Sequence, residues 1–277
     1  MFVFAAVAKL ISIDSFEIYV FSFQMLPLWG AYLAARLLIA FEAFLGIWML
    51  INCDSKAAWW TGMVLLAAFT VRLLVLQLSG NDESCNCFGE FIDLNPVQSI
   101  LKNIAFMAVL GVTYGCKSFD IKHKWLWRTL VPTVCLASVL ILSPPDNWRY
   151  KDYAKYTTLN TEAFQEARTD GEIPARAFEG EKILCFYSLK CPFCKMSAQK
   201  MGTLRRMHTF PEAPIIVAFG GEKRDAAYYF RENRLDCTDW FFISPSTFLR
   251  ITHGDMPLIL VLKDGVIQQK YSYRDLH

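Results

Sequence analysis

Charge is scarce in this chain, and what there is nearly cancels. Asp, Glu, Lys and Arg make up 19% of the 277 residues, against about 25% in an ordinary soluble domain. The 28 basic and 26 acidic residues leave a net charge of +2, which gives no reason to expect a nucleic-acid partner. An internal repeat and a low-complexity tract are also missing, as is the basic n-region that opens a signal peptide. Nine cysteines in this length do not make a small disulfide scaffold. Apolar residues fill the space instead, at 54%, with a mean hydropathy of +0.28. That excludes disorder, argues against a single soluble globule, and points to a membrane protein with a soluble part attached.

A spanning helix needs about 20 mostly apolar residues. Residues 31–51 form one such window, with Arg36 and Glu42 as its only charges. Residues 57–78 form a second, interrupted by Arg72, and residues 97–116 a third, with Lys102 near its start. Residues 125–142 are a shorter fourth, with Trp125 and Trp127 where interfacial aromatics belong. Residues 1–13 are apolar but reach only about 20 Å as a helix. They read as the outer part of a first segment whose N-terminal portion is short or missing, which makes five segments in all.

Missing charge also sets the orientation. Neither 14–28 nor 79–95 contains a Lys or Arg, whereas Lys56, Lys117, Lys122, Lys124 and Arg128 gather on the opposite side. The positive-inside rule puts that basic side in the cytoplasm. The C-terminal part is then extracytoplasmic, on a multi-pass protein of the cell (inner) membrane. The division expected is a helix bundle over 1–116, a cytoplasmic loop and fifth helix over 117–143, a linker over 144–170 and an α/β domain over 171–277.

In that last part the pattern becomes soluble α/β. Residues 182–188, 214–219 and 240–243 read as strands, and 192–207 and 222–233 as helices. Asp264-Gly265 between two apolar runs is a hairpin signal. The sharpest motif is Cys191-Pro192-Phe193-Cys194, directly after a strand and opening a helix. Thiolate is the nucleophile in disulfide exchange, and a helix N-terminus lowers a cysteine's pKa through its unbonded N–H groups and positive dipole. Pro192 suits the first helical position because it has no N–H. Cys191 is therefore the attacking thiol and Cys194 the resolving one, with Lys190 and Lys195 adding positive potential. A haem attachment would need His where Lys195 stands, zinc would need further ligands, and a purely structural disulfide is the remaining alternative. Cys185 and Cys237 read as inert.

The order strand, CxxC helix, strand, helix and Pro-led hairpin resembles thioredoxin-like proteins. The resemblance implies that Pro257, in Gly254-Asp255-Met256-Pro257, is cis and sits beside the dithiol. It also implies that the Met256 backbone pairs with bound substrate, so that Pro192, Phe193, Met256 and Pro257 form the substrate-binding rim.

A second pair, Cys85-Asn86-Cys87, stands between the third and fourth segments on the expected outer face. A disulfide between residues i and i+2 closes a tight ring and is expected to be easily reduced. Cys85-Asn86-Cys87-Phe88-Gly89 followed by Lys102-Asn103, with Lys9 and Glu42 upstream, resembles the MauE/DoxX-type redox membrane family over residues 1–116. That resemblance implies a four-helix membrane domain tied to disulfide formation or thiol maturation. Intramembrane charges by default mark a pathway or a paired site. One reading has Arg36, Glu42, Arg72 and Lys102 lining a pocket for a quinone head group. The other has Glu42 neutralise an arginine while the rest reach the interface.

Together these features describe a membrane thiol–disulfide oxidoreductase. Electrons pass between extracytoplasmic client thiols, Cys191/Cys194 and Cys85/Cys87, with a quinone as acceptor and no metal. Two alternatives stand beside this: a reductase directed outward, and a non-catalytic assembly scaffold with a client-binding domain.

Overall fold

The computed structural model describes residues 1–51, 55–78, 96–112, 114, 124–149, 158–221 and 226–276. The chain divides into two compact units, Met1–Val20 with Gly30–Pro145, and Phe21–Trp29 with Asp146–His277.

The first unit is helical: α1 (Phe2–Ile11), α2 (Ile13–Phe21), α3 (Leu28–Ile51), α4 (Lys56–Leu78), α5 (Pro96–Val112) and α6 (Lys124–Leu142). Among the described residues α3 and α4 are long and apolar enough to cross a membrane, and α1, α5 and α6 contribute shorter apolar runs. Leu50, Val64, Leu78, Val112 and Ile141 all point outward. Large side chains exposed in this number are costly in water and ordinary in lipid. Trp59 on α4 ties that helix to α5 by donating from Nε1 to the Leu110 carbonyl at 2.7 Å.

The N-terminal segment departs from expectation. The sequence suggested a truncated first helix followed by a connection over 14–28. Instead the helix breaks only at Ser12 (φ −106°, ψ 42°) and resumes as α2 through Phe21. Asp14, Ser15 and Glu17 end the apolar run, which is why hydropathy stopped there. A buried carboxylate is tolerated when it is paired, and Glu17 pairs with the equally buried Arg36.

The second unit carries a five-stranded sheet in the order β3-β2-β1-β4-β5. Strands β1 (Glu181–Tyr187), β2 (Ile215–Gly220) and β3 (Asp239–Ile243) run parallel, while β4 (Leu258–Lys263) and β5 (Val266–Tyr271) are antiparallel. Residues 183–187 of β1 are fully buried, as a central strand covered on both faces should be. Leu184 and Phe186 point into a core with Phe164, Phe178, Phe248 and Leu260. The β4–β5 turn puts Asp264 (φ 50°) and Gly265 (φ 79°) both in the left-handed region, the conformation an Asp-Gly hairpin requires.

Among the described residues this unit also has four α-helices, α8 (Thr161–Thr169), α9 (Pro192–Arg206), α10 (Ala226–Glu232) and α11 (Pro245–Thr252), after a single turn, α7 (Asp146–Arg149). Helix α8 lies within the stretch read from sequence as linker, so the folded domain begins earlier than residue 171. Ala163, Phe164 and Ala167 bury its inner face in the core, and Asn160 caps it by accepting from the Ala163 N–H at 3.1 Å. Helix α11 is also new, and is opened by Ser244 accepting from the Thr247 N–H at 3.2 Å.

Candidate redox site

Strand β1 ends at Tyr187, and three residues later the chain turns into α9 with Cys191 at its N-cap. Cys191 is in extended conformation (φ −79°, ψ 119°), Pro192 takes the first helical position, and Cys191 Sγ accepts from the Cys194 N–H at 3.3 Å. The thiol thus occupies the place where Ser or Asp normally satisfies helix donors. Both thiols are free. Cys191 is half-buried and reachable, whereas Cys194 is fully buried and its sulfur accepts from the Ser188 N–H at 3.4 Å.

The two sulfurs differ strongly in acidity. The hydrogen bond from the Cys194 thiol, together with the backbone N–H groups of Cys194 and Phe193, holds Cys191 down at about 6 against the opposing effect of burial. Burial and the neighbouring Cys191 push Cys194 far above the ordinary thiol range. One sulfur is a thiolate near neutral pH and the other a protonated thiol, the division of labour that exchange needs. Cys185 is raised by burial in β1, and Cys237 is raised to about 11 by burial. Both thiols remain protonated and unreactive.

Sheet register brings the proline loop to this end of the domain. Leu258 stands opposite Phe186, so the cis Met256–Pro257 bond lies level with the end of β1, from which the chain proceeds to Cys191. Met256 is partly buried and Pro257 buried. Phe193 is 40% exposed and packs 5.7 Å from the Tyr273 ring. The Arg274 guanidinium lies 5.7 Å from the Phe193 ring and 5.2 Å from that of Tyr273, and bonds the Asp146 carboxylate at 3.0 and 3.2 Å. Lys200, fully buried on α9, donates to the Tyr273 carbonyl at 3.0 Å. Sequence reasoning missed this C-terminal brace because the aromatic and basic pair follows the last strand, where no periodicity marks it.

Cys85 and Cys87 lie outside the described residues. The four intramembrane charges do not share one place. Arg36 donates Nε to the Ser143 carbonyl at 2.7 Å, Nη1 to Glu17 and to the Tyr32 carbonyl at 2.8 Å, and Nη2 to the Pro144 carbonyl at 3.0 Å. Its guanidinium is occupied with holding α2 and the end of α6. Glu42 is paired with Lys9 at 2.5 and 2.7 Å rather than with an arginine, and both are buried. Glu42 and Lys102 line one recess together with Lys9 and Asn103, and neither Arg36 nor Arg72 is among its walls. Lys9 was visible in the sequence as a charge interrupting an apolar run.

Residues 1–115 match the family of methylamine utilisation protein MauE. Protein TlpB from Flavobacterium psychrophilum is 27% identical over 282 aligned positions, covering 81% of this chain and 75% of that protein. A match of that extent is longer than either structural unit and therefore runs through both. Residues 1–115 are thus similar to the MauE membrane proteins, and the α/β domain that follows is consistent with a thioredoxin-like fold and carries a dithiol with one acidified sulfur.

Proposed function

We propose that this protein is a membrane thiol–disulfide oxidoreductase that oxidises extracytoplasmic client thiols and delivers the electrons, through Cys85 and Cys87, to a quinone. In the oxidised domain Cys191 and Cys194 share a disulfide. A client thiolate attacks Cys191 Sγ, forms a mixed disulfide and expels Cys194, which takes a proton. A second client thiolate then attacks its own mixed sulfur, closing the client disulfide and releasing Cys191 as thiolate. Reoxidation reverses the roles: Cys191 attacks the Cys85–Cys87 disulfide, and Cys194 resolves the intermediate.

The observation that carries this reading is the unequal pair at the start of α9, an accessible sulfur held at about 6 beside a buried one held high. Stabilising the thiolate stabilises the reduced dithiol, which makes the corresponding disulfide a better oxidant. This favours the oxidase over an outward-directed reductase. A scaffold that only recognises clients has no use for an acidified thiol.

The test is a trap in cells. Cys194→Ser removes the resolving sulfur, so Cys191 should accumulate in mixed disulfides with Cys85 or Cys87 and with client cysteines. An absence of any Cys191 adduct to the membrane pair would reject the relay. Unchanged function in Cys191→Ser would reject catalysis altogether and favour the scaffold. If quinone depletion left Cys191 and Cys194 as oxidised as before, the direction of flow would be wrong.

A further inference from the structure

The first turn of α9 is gripped from the C-terminal end of the chain. Phe193 and Lys200 stand about two turns apart on one face of that helix, and the segment after β5 meets both. Tyr273 is buried there. Its carbonyl accepts from Lys200 Nζ at 3.0 Å, the same ammonium lies 5.0 Å from its ring, and the ring packs 5.7 Å from that of Phe193. A buried ammonium is costly unless it is bonded, so Lys200 holds Tyr273 firmly. The turn is also closed on itself, with the Ser272 N–H on the Asp275 carboxylate and the Arg274 N–H on Ser272 Oγ at 3.3 Å. Arg274 completes the grip. Its guanidinium lies 5.7 Å from the Phe193 ring and is tied to both carboxylate oxygens of the buried Asp146, at 3.0 and 3.2 Å.

We infer that Arg274 is a positioning residue of the dithiol: anchored by Asp146, it holds the Phe193 ring and with it the peptide that follows Cys191 and Pro192. The inference rests on the exchange reading above, which makes Cys191 the attacking sulfur. Phe193 is the second residue of α9, and the N–H groups of the second and third helical residues are the ones a capping side chain bonds. Cys191 Sγ is that cap, so a shift of the Phe193 backbone draws a donor away from the sulfur. The donors that hold Cys191 low are Cys194 and the Phe193 N–H rather than a basic side chain. The Phe193 ring is 40% exposed, so core packing alone does not fix it. A planar guanidinium suits the task, since it lies against a ring and bonds a carboxylate at once, which a lysine ammonium does less well.

The experiment takes the full chain in lipid nanodiscs and measures the pH midpoint of iodoacetamide alkylation at Cys191 by mass spectrometry. Charge and position predict opposite signs. Asp146→Ala removes a carboxylate from the cluster that reaches Phe193, which by charge alone lowers the midpoint or leaves it unchanged. Loss of the grip raises it instead, by about half a pH unit, the partial loss of one hydrogen bond to a charged sulfur. Arg274→Lys keeps the charge but loses the planar fork, and should raise the midpoint by a similar amount. Phe193→Ala should raise it too, and adding Asp146→Ala to Phe193→Ala should raise it no further. Lys190 and Lys195, the latter 3.6 Å from Glu232 on α10, are present in every variant and do not produce the differences. Thermal melts report whether each variant folds, and Arg274→Lys, which strands no buried charge, keeps the test decisive if Asp146→Ala unfolds. A midpoint that falls in Asp146→Ala and stays put in Arg274→Lys would overturn the inference in favour of simple charge. Equal midpoints throughout would overturn it as well and leave the exchange reading standing. Raised midpoints in a protein whose Cys191→Ser form still supports client oxidation in cells would keep the positioning role and sink the exchange reading.

Discussion

Replacing Cys194 with Ala tests the origin of the acidity at Cys191 more directly than removing Cys191 itself. The thiol hydrogen bond from Cys194 is the largest contribution holding Cys191 at about 6, with the N–H groups of Cys194 and Phe193 adding to it. Alanine keeps the backbone donors and removes only the S–H. A hydrogen bond to a charged group is worth about 1.5–3 kcal/mol, and the partial exposure of Cys191 argues for the low end because solvent screens it. One pKa unit corresponds to about 1.36 kcal/mol, so the midpoint should rise by roughly one unit, to near 7. A rate at a single pH would mislead. At pH 6.5 the thiolate fraction falls about threefold, but each thiolate becomes about threefold more nucleophilic as its pKa rises by a unit. The assay is therefore the full pH profile of iodoacetamide alkylation at Cys191, read by mass spectrometry between about pH 4 and pH 10. Cys194→Ser, which keeps an O–H donor, should hold the midpoint low. A Cys194→Ala profile with its midpoint still near 6, or a wild-type midpoint in the ordinary thiol range, would refute the reasoning.

Three further outcomes follow from the packing and the charges. A Cβ at Gly202 would stand 2.4 Å from the Arg234 carbonyl oxygen, which backbone cannot vacate cheaply. Gly202→Ala should therefore lower stability by about 1–3 kcal/mol in denaturant melts, the usual cost of overpacking. Lys9→Met strands the buried Glu42 carboxylate and should cost about 3–5 kcal/mol, while Lys9→Met with Glu42→Leu should recover most of it; detergent-phase melting of both reads the difference. Because Cys191 is held below its unfolded pKa, it stabilises the reduced domain fully above the unfolded thiol range, near 8.5. That contribution is lost as pH falls through about 6. The Tm advantage of the reduced protein over Cys191→Ser should accordingly grow from about pH 6 to pH 8.5, and a flat difference would contradict it.

Legibility in the sequence followed the strength of local signals. Cys191-Pro192-Phe193-Cys194 is a cap, a helix start and a dithiol at once, so placing it needed no tertiary information. Strand β1 was visible as an unbroken apolar run, and the Asp264-Gly265 turn by its chemistry. Helix α8 was not, because only Ala163, Phe164 and Ala167 face the core and its other positions are polar or charged. Two turns with three small or aromatic contacts look like linker until the sheet they cover is known. Glu42 was recognised as costly, but its partner was not, since 33 residues separate it from Lys9. Arg36 was grouped with Glu42 in one expected pocket, yet its contacts with Ser143 and Pro144 lie 107 and 108 residues away. Depth along a helix is readable from sequence; the face a side chain turns to is set by packing.

In the proposed exchange, placing the nucleophile at the N-cap of α9 has a cost that recurs with every turnover. Sulfur is a poor acceptor beside the oxygens of Ser or Asp, and once it is tied up in a bond to a client or to Cys194 it no longer carries the negative charge that the helix start attracts. The first turn of α9 is consequently firmest when the protein is waiting and loosest when it is working. Cys191→Ser, which the proposed exchange makes inactive, should therefore resist heat better than the disulfide-bonded intermediate it can never form, and selection for a sturdier domain would pull against the proposed chemistry at this single position.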